Sequence, residues 1–199
     1  MYKIGVTGGI GSGKSTVCEL LRDRGVAVYD SDSRAKQLMA ESEALREQLT
    51  AAFGAECYNA EGLDRAFLAS KVFGNEVALQ QLNSIVHPAV RADFQTWAEQ
   101  QQSPYVVLES AILFEAGFET EVDATLAVMA PMPMRLERTM ARDGVDKESV
   151  MRRMEHQLSD DELHSRATRT IVNINREYLE GDIEQLHKIF VYESQRKQD

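Results

Sequence analysis

The chain is poor in cysteine and in positive charge, and each shortage excludes a class of protein. Two of the 199 residues are cysteines, Cys18 and Cys57. Two distant cysteines are too few for a disulfide framework or a zinc site, so we expect free thiols. The 32 acidic residues outnumber the 22 basic ones and give a formal net charge of −10. Because this balance would repel a phosphodiester backbone, we expect no nucleic-acid partner.

Long hydrophobic runs are missing as well. No stretch of eighteen or more apolar residues occurs, so we expect no segment that spans a membrane. The first residues lead directly into a strand-like pattern without the apolar core of a signal peptide, which predicts a cytoplasmic protein. The hydrophobic share of 43% is enough for one sizeable core with a small subdomain.

Five short apolar runs predict the strands of one sheet. They cover residues 2–7, 26–29, 105–108, 124–129 and 170–173, and helical patterns lie between them. The first two runs are joined by a single helical segment, which is typical of a parallel βαβ unit. The fold class is therefore predicted as α/β, a doubly wound parallel five-stranded sheet, with residues 1–30, 103–131 and 170–199 as its core.

Two stretches interrupt this alternation. Residues 31–102 are mostly helical and polar-faced, with no clear strand, and predict a helical insertion between the second and third strands. Residues 132–169 are helix-rich and dense in arginine, and predict a mobile helical cover, or lid.

Residues 8–15 match the phosphate-loop pattern G-x-x-x-x-G-K-[ST], and they lie between a predicted strand and a predicted helix. Glycines let successive N–H groups turn inward toward phosphate oxygens, and the helix adds its positive N-terminal end. Lys14 can reach the β- and γ-phosphates, and the Ser15 hydroxyl can bind Mg²⁺. The pattern predicts a P-loop NTPase that binds ATP through Gly8, Gly11, Ser12, Gly13, Lys14, Ser15 and Thr16.

Two carboxylates, Asp30 and Asp32, follow the second predicted strand. The carboxyl ends of parallel strands line the ligand crevice, so one acid could accept a proton while the other steadies Mg²⁺ through water. The alternative is that either residue only caps a helix. The chain contains no N-K-x-D segment, which counts against a GTPase.

Several further motifs occur in a fixed order. After Asp30-Ser31-Asp32 come Gly62-Leu63-Asp64-Arg65, Val72-Phe73, His87-Pro88, Leu113-Phe114-Glu115 and Asn173. Together with the phosphate loop, this series resembles the dephospho-coenzyme A kinase family over nearly the whole chain. The resemblance implies that ATP phosphorylates the 3′-hydroxyl of the ribose of dephospho-coenzyme A. It also implies three parts: a nucleotide-binding core, a helical substrate-binding domain and a lid.

The resemblance assigns roles to residues of the insertion. Asp32 would take the proton from the 3′-hydroxyl, and His87 and Pro88 would lie near the substrate. A helix boundary, with Pro88 in the first turn of the next helix, is the alternative for this pair. Arg65 would bind the diphosphate of the substrate or pair with a neighbouring acid.

Arg135, Arg138 and Arg142 are three and four residues apart, so a helix would carry them on one face. In kinases of this general type, lid arginines offset charge on the transferring phosphoryl group, which makes Arg138 and Arg142 catalytic candidates. The alternative is a solvated face with ion pairs to acids such as Glu137. By resemblance, Asn173 would lie near the adenine, and a turn-forming asparagine is the competing interpretation.

The chain departs from the family pattern in three places. Glu109 stands where the family usually has aspartate, and we expect it to hold Mg²⁺ through water. Ser31 replaces the usual alanine between the two acids, and residues 167–170 replace the usual Ala-Asp before the last strand. We expect a monomer. A nucleoside or nucleotide kinase and a non-catalytic P-loop module that binds a protein partner are the two alternatives.

Overall fold

The computed structural model describes residues 1–155 and 157–197, and the chain divides into two compact units. The first unit is Met1–Asp30 with Ala98–Asp199, and the second is Ser31–Trp97. Residue 156 of the predicted lid and residues 198–199 of the predicted core lie outside the described residues. Among the described residues, no helix has both the length and the apolar character that a membrane crossing requires.

Strands and helices alternate along the first unit, and helices dominate the second. The strands are β1 Tyr2–Thr7, β2 Ala27–Asp30, β3 Tyr58–Asn59, β4 Gly62–Leu63, β5 Tyr105–Glu109, β6 Ala124–Met129 and β7 Arg169–Val172. The helices are α1 Lys14–Arg22, α2 Ser31–Glu41, α3 Glu43–Phe53, α4 Arg65–Val72, α5 Glu76–Glu99, α6 Met132–Asp143, α7 Lys147–Met154, α8 Asp160–Arg166 and α9 Arg176–Arg196.

The first unit is built on a parallel sheet, which within the described residues has five strands in the order β2-β5-β1-β6-β7. This confirms the predicted fold class, and each predicted strand end lies within one residue of the observed one. β1 is central: the chain runs from β1 to β2 on one side, returns to β5, and then crosses to β6 on the other side of β1. Ligands of open parallel sheets bind at such a reversal, outside the carboxyl ends of the strands.

The core of the first unit holds β1 and α1 in a fixed relation. Helix α1 buries Val17, Cys18, Leu20 and Leu21, a spacing that places them on one helical face. They pack with Ile4 and Val6 of β1 and with apolar side chains of α9. Because both ends of residues 8–13 are anchored in this core, the loop between them has little freedom.

The second unit has its own small core, formed by Leu49, Cys57, Tyr58 and Leu68. Strands β3 and β4 form an antiparallel hairpin in it, so the expectation of no strand between residues 31 and 102 is wrong. Each strand has only two residues, too few to show the alternation of apolar and polar positions that predicts a strand. Cys18 and Cys57 are free thiols, as expected, and both are buried.

Candidate active site

The phosphate loop leaves β1 at Thr7 and enters α1 at Lys14. Gly13 precedes the helix with φ +93°, and no side chain caps the first turn, so its N–H groups can bind an anion. The Lys14 ammonium donates to the Gly8 carbonyl at 2.7 Å, which holds it over the loop. The buried Ser12 hydroxyl has no hydrogen-bond partner among the residues that the structure describes. A buried hydroxyl of this kind fits a site that a phosphate oxygen completes.

Asn173, directly after β7, contacts the phosphate loop. Its buried side-chain amide donates to the Ser12 carbonyl at 2.9 Å. A Cβ atom on Gly13 would collide with the same amide nitrogen, so only glycine permits this approach. The side chain thus fixes the loop rather than a turn of its own segment, and the role of Asn173 near the adenine stays a prediction.

Two carboxylates meet at the carboxyl edge of the sheet, because Asp30 of β2 lies opposite Glu109 of β5. Burial raises the pKa of Glu109, and the charge of Asp30 raises it further, whereas a hydrogen bond from the Cys18 thiol and the charge of Lys14 lower it. A divalent cation here would offset the repulsion between the two acids. Among the described residues, no three His, Cys, Asp or Glu side chains form a metal-holding group. An ion would therefore take most of its ligands from phosphate and water, as Mg²⁺ commonly does.

The three arginines predicted on one face of α6 have different surroundings. Arg135 is buried and binds both the Ile10 carbonyl and the Asp160 carboxylate. Arg138 donates to the carbonyl of Asn173 at 3.2 Å, beside the loop. Arg142 is 61% exposed and binds its neighbour Asp143 at 2.7 Å. The catalytic roles of Arg138 and Arg142 stay predictions, whereas Arg135 has a contact to the loop that the sequence did not indicate.

Gln157 is a second residue that sequence reasoning missed. It lies between α7 and α8, and its side-chain oxygen accepts the Ile10 N–H at 2.8 Å. Nothing in the local pattern around Gln157 marks it, because the loop that it contacts is 147 residues away in the chain.

Asp32 lies in the first turn of α2, where its side chain is exposed. Within the same unit, the Arg34 guanidinium donates two hydrogen bonds, of 2.9 and 2.6 Å, to the Asp93 carboxylate. This bidentate pair ties α2 to α5. The pair therefore restrains α2, the helix that carries Asp32.

His87 and Pro88 lie inside α5, so the interpretation of this pair as a helix boundary is wrong. An interior proline costs about 3 kcal/mol. However, Val86, Val90 and Phe94 are buried at intervals of four residues, which continues the apolar face of the helix through Pro88. Burial, with the charge of Arg91, lowers the pKa of His87, which favours its neutral imidazole.

Arg65 is the first residue of α4, and its side chain is exposed. The preceding Asp64 caps this helix, because its carboxylate accepts the N–H of Phe67 at 2.9 Å. The cap stabilises the start of α4, and it therefore holds the backbone of Arg65 in place. The role of Arg65 at the substrate stays a prediction.

A phosphate loop at the centre of a parallel sheet, with an arginine-bearing helix packed on it, defines the class of P-loop kinases. Comparison with known proteins narrows the class, because the family model described as dephospho-CoA kinase matches residues 2–178. The chain belongs to the dephospho-CoA kinase family, which confirms the predicted resemblance. It is thus an ATP-dependent kinase, a transferase.

Relatives of known name agree with this assignment. The chain is 44% identical to the dephospho-CoA kinase of Salinibacter ruber over 177 residues, which are 87% of this chain and 89% of that protein. It is 46% identical to that of Porphyromonas gingivalis over 154 residues, 77% of this chain and 76% of the other.

The crystal structure of a Thermus thermophilus protein is 38% identical in sequence to this chain. The two superpose over 96% of this chain and 97% of the other, with a TM-score of 0.82. Shikimate kinase from Acinetobacter baumannii, at 15% identity, covers 97% of this chain and 94% of its own with a TM-score of 0.55. The second likeness shows the fold alone.

Proposed function

We propose that the protein transfers the γ-phosphoryl group of ATP to the 3′-hydroxyl of the ribose of dephospho-coenzyme A, giving coenzyme A and ADP. The observation that carries the proposal is the family match over residues 2–178. That range includes the phosphate loop, Asp32, the helical insertion and the lid arginines. In this proposal the insertion, residues 31–102, binds the acceptor, and residues 132–169 form the lid.

The phosphate loop holds the donor. The N–H groups of residues 11–16 bind the β- and γ-phosphates of ATP, and Lys14 offsets charge on the group in transfer. In the structure Lys14 rests on the Gly8 carbonyl, so its ammonium is already positioned at the loop. A positioned charge of this kind needs no rearrangement when the transition state forms.

Asp32 activates the acceptor. Its carboxylate accepts the proton of the 3′-hydroxyl as the oxygen attacks the γ-phosphorus, and the bond from phosphorus to the β-phosphate oxygen breaks. His87, Pro88 and Arg65 bind the acceptor within the insertion. In its neutral form the His87 imidazole can donate one hydrogen bond and accept another.

Mg²⁺ fits the acidic edge of the sheet. When bound, it would offset the negative charge that develops on the phosphates during transfer. The exposed Ser15 hydroxyl would bind the ion directly, and Glu109 would hold it through a water molecule. Glu109 keeps the negative charge of the aspartate usual in the family on a side chain one methylene longer.

Arg138 and Arg142 offset the negative charge on the phosphoryl group during transfer. Arg138 already lies beside the loop, on the carbonyl of Asn173, whereas the Arg142 side chain is 61% exposed. The proposed protein is a cytoplasmic monomer, and its partners are the small molecules ATP and dephospho-coenzyme A.

Acceptor preference tests this function. Purified protein with ATP and Mg²⁺ should release ADP rapidly with dephospho-coenzyme A, and at least about a hundredfold more slowly with adenosine, AMP or shikimate. A coupled assay of ADP release measures this, and water alone gives the background rate. Fastest turnover on a nucleoside or nucleotide would assign the chain that acceptor instead. No turnover above background on any acceptor would favour the non-catalytic module.

A further inference from the structure

Residues 9–12 form a tight turn within the phosphate loop. The Ser12 N–H donates to the Gly9 carbonyl at 3.1 Å, and Gly11 has φ +78°. A positive φ at the third position without one at the second, here Ile10, defines a type II turn, in which the central peptide is rotated by about 180° relative to a type I turn. Because glycine tolerates both turns, Gly11 itself leaves the orientation of the Ile10–Gly11 peptide open. The orientation of that peptide must therefore be selected by the contacts that the peptide makes.

Arg135 of α6 makes this contact. Its Nε donates to the Ile10 carbonyl at 3.0 Å. In a planar trans peptide the C=O and N–H groups point in opposite directions, so the Gly11 N–H points away from the guanidinium. A Cβ on Gly11 would collide with the backbone oxygen of Arg135 and with Thr139 Oγ1, which places α6 in close contact with this side of the turn. The carbonyl of the peptide therefore faces α6, and its N–H faces away.

Arg135 is itself fixed in place. Its side chain is 9% exposed, and Nη1 pairs with Asp160 Oδ1 of α8 at 2.8 Å. A Cβ on Gly9 would overlap the guanidinium, so Gly9 provides the space that the guanidinium occupies. A buried cation held by a carboxylate and a carbonyl has few alternative positions.

The preceding peptide is also held. Its carbonyl, from Gly9, accepts the Ser12 N–H, and its N–H, from Ile10, donates to Gln157 at 2.8 Å. Both peptides that flank Ile10 are thus anchored to residues of the stretch predicted as the lid. The two contacts come from residues 125 and 147 positions away in the chain, and Asp160 in turn holds Arg135.

We propose that Arg135 is a positioning residue for ATP: by binding the Ile10 carbonyl it selects the type II turn and directs the Gly11 N–H to the phosphates. Arg135 does not touch the reacting atoms in this role. The inference rests on the ATP-binding part of the proposed function, and it does not depend on which acceptor is used.

Kinetics provide the first test. Arg135→Met should raise the KM for ATP about tenfold, the loss expected when a charged hydrogen bond no longer holds the loop. The KM for the acceptor should stay within about twofold, because the acceptor does not bind the turn. Arg152→Met, which removes an exposed arginine of α7, is the matched control and should leave both constants unchanged. An unchanged KM for ATP in Arg135→Met would overturn the proposal.

A spectroscopic test follows the amide itself. Labelling isoleucine with ¹³C at the carbonyl and glycine with ¹⁵N selects Ile-Gly pairs, of which the sequence has two, Ile4-Gly5 and Ile10-Gly11. In the native protein, ADP with Mg²⁺ should shift the Gly11 amide and leave Gly5, inside β1, nearly unmoved. In Arg135→Met the Gly11 shift should fall to less than about half, because the peptide samples both orientations.

The Gly5 signal also reports whether the sheet is intact in the variant. Should Arg135→Met not fold, Asp160→Asn and Arg135→Lys weaken the same contact more gently, and a smaller Gly11 shift is expected in both. A full Gly11 shift in folded Arg135→Met, or in both gentler variants, would overturn the positioning role alone. If ADP did not shift the Gly11 amide signal of the native protein, the positioning role and the ATP-binding part of the proposed function would both be overturned.

Discussion

Lys14→Ala is expected to lower turnover by about a thousandfold while leaving the fold intact. The ammonium is half-buried in a loop and donates to the Gly8 carbonyl, so its removal takes a positive charge from the phosphates and no apolar contact from the core. Initial rates of ADP release measure the loss. Thermal unfolding should show a midpoint within a few degrees of the native protein, since no core side chain changes.

Lys188→Ala is the matched control. Lys188 is an exposed lysine of α9 that pairs with Glu184, and surface pairs of this kind contribute little to stability. Its turnover should equal that of the native protein. If Lys14→Ala kept most of its activity, the phosphate-loop mechanism would be wrong.

Asp32→Asn is expected to lower kcat by about two to four orders of magnitude, the usual contribution of a positioned base. The amide keeps the shape of the side chain and cannot accept the proton of the 3′-hydroxyl. Because Asp32 does not belong to the phosphate loop, the KM for ATP should change by less than about threefold. Steady-state kinetics with each substrate varied in turn separate the two constants.

Glu47→Gln serves as the control for Asp32→Asn, because it removes one exposed carboxylate charge from α3 of the same unit. Its kcat should stay native. An unchanged kcat in Asp32→Asn would remove this residue from the role of base. Equal losses in ATP affinity and in kcat would instead assign it to donor binding.

The strands and the phosphate loop could be predicted because their signals are local. Each buried strand is a short apolar run between polar breaks, and β6 was predicted at residues 124–129, the bounds observed. The loop pattern predicts a glycine-rich turn followed directly by a helix, and the helix begins at Lys14. Hence the chemistry at the loop could be inferred before its structure was known.

The contacts around the loop could not be predicted, because they join distant parts of the chain. The bond from Arg135 to Ile10 spans 125 positions, and that from Asn173 to Ser12 spans 161. The sequence marked Arg135 only as a member of a helical face. Its burial against the loop depends on how α6 packs, which no local pattern encodes.

Pro88 illustrates a different failure, in which a correct local rule is outweighed. Proline in the first turn of a helix is favourable, and that preference predicts a helix start. The apolar spacing of Val86, Val90 and Phe94 instead continues through it. Burial of a continuous apolar face exceeds the cost of one missing hydrogen bond.

Direct analysis of the product tests the central claim. The protein is incubated with Mg²⁺, dephospho-coenzyme A and ATP labelled in its γ-phosphate, and the products are separated and identified by mass and by ³¹P NMR. The account predicts ADP and coenzyme A in equal amounts, with all transferred label in the 3′-phosphate, and no transfer to the 3′-deoxy analogue. Label on another hydroxyl, or transfer to the 3′-deoxy analogue, would contradict it.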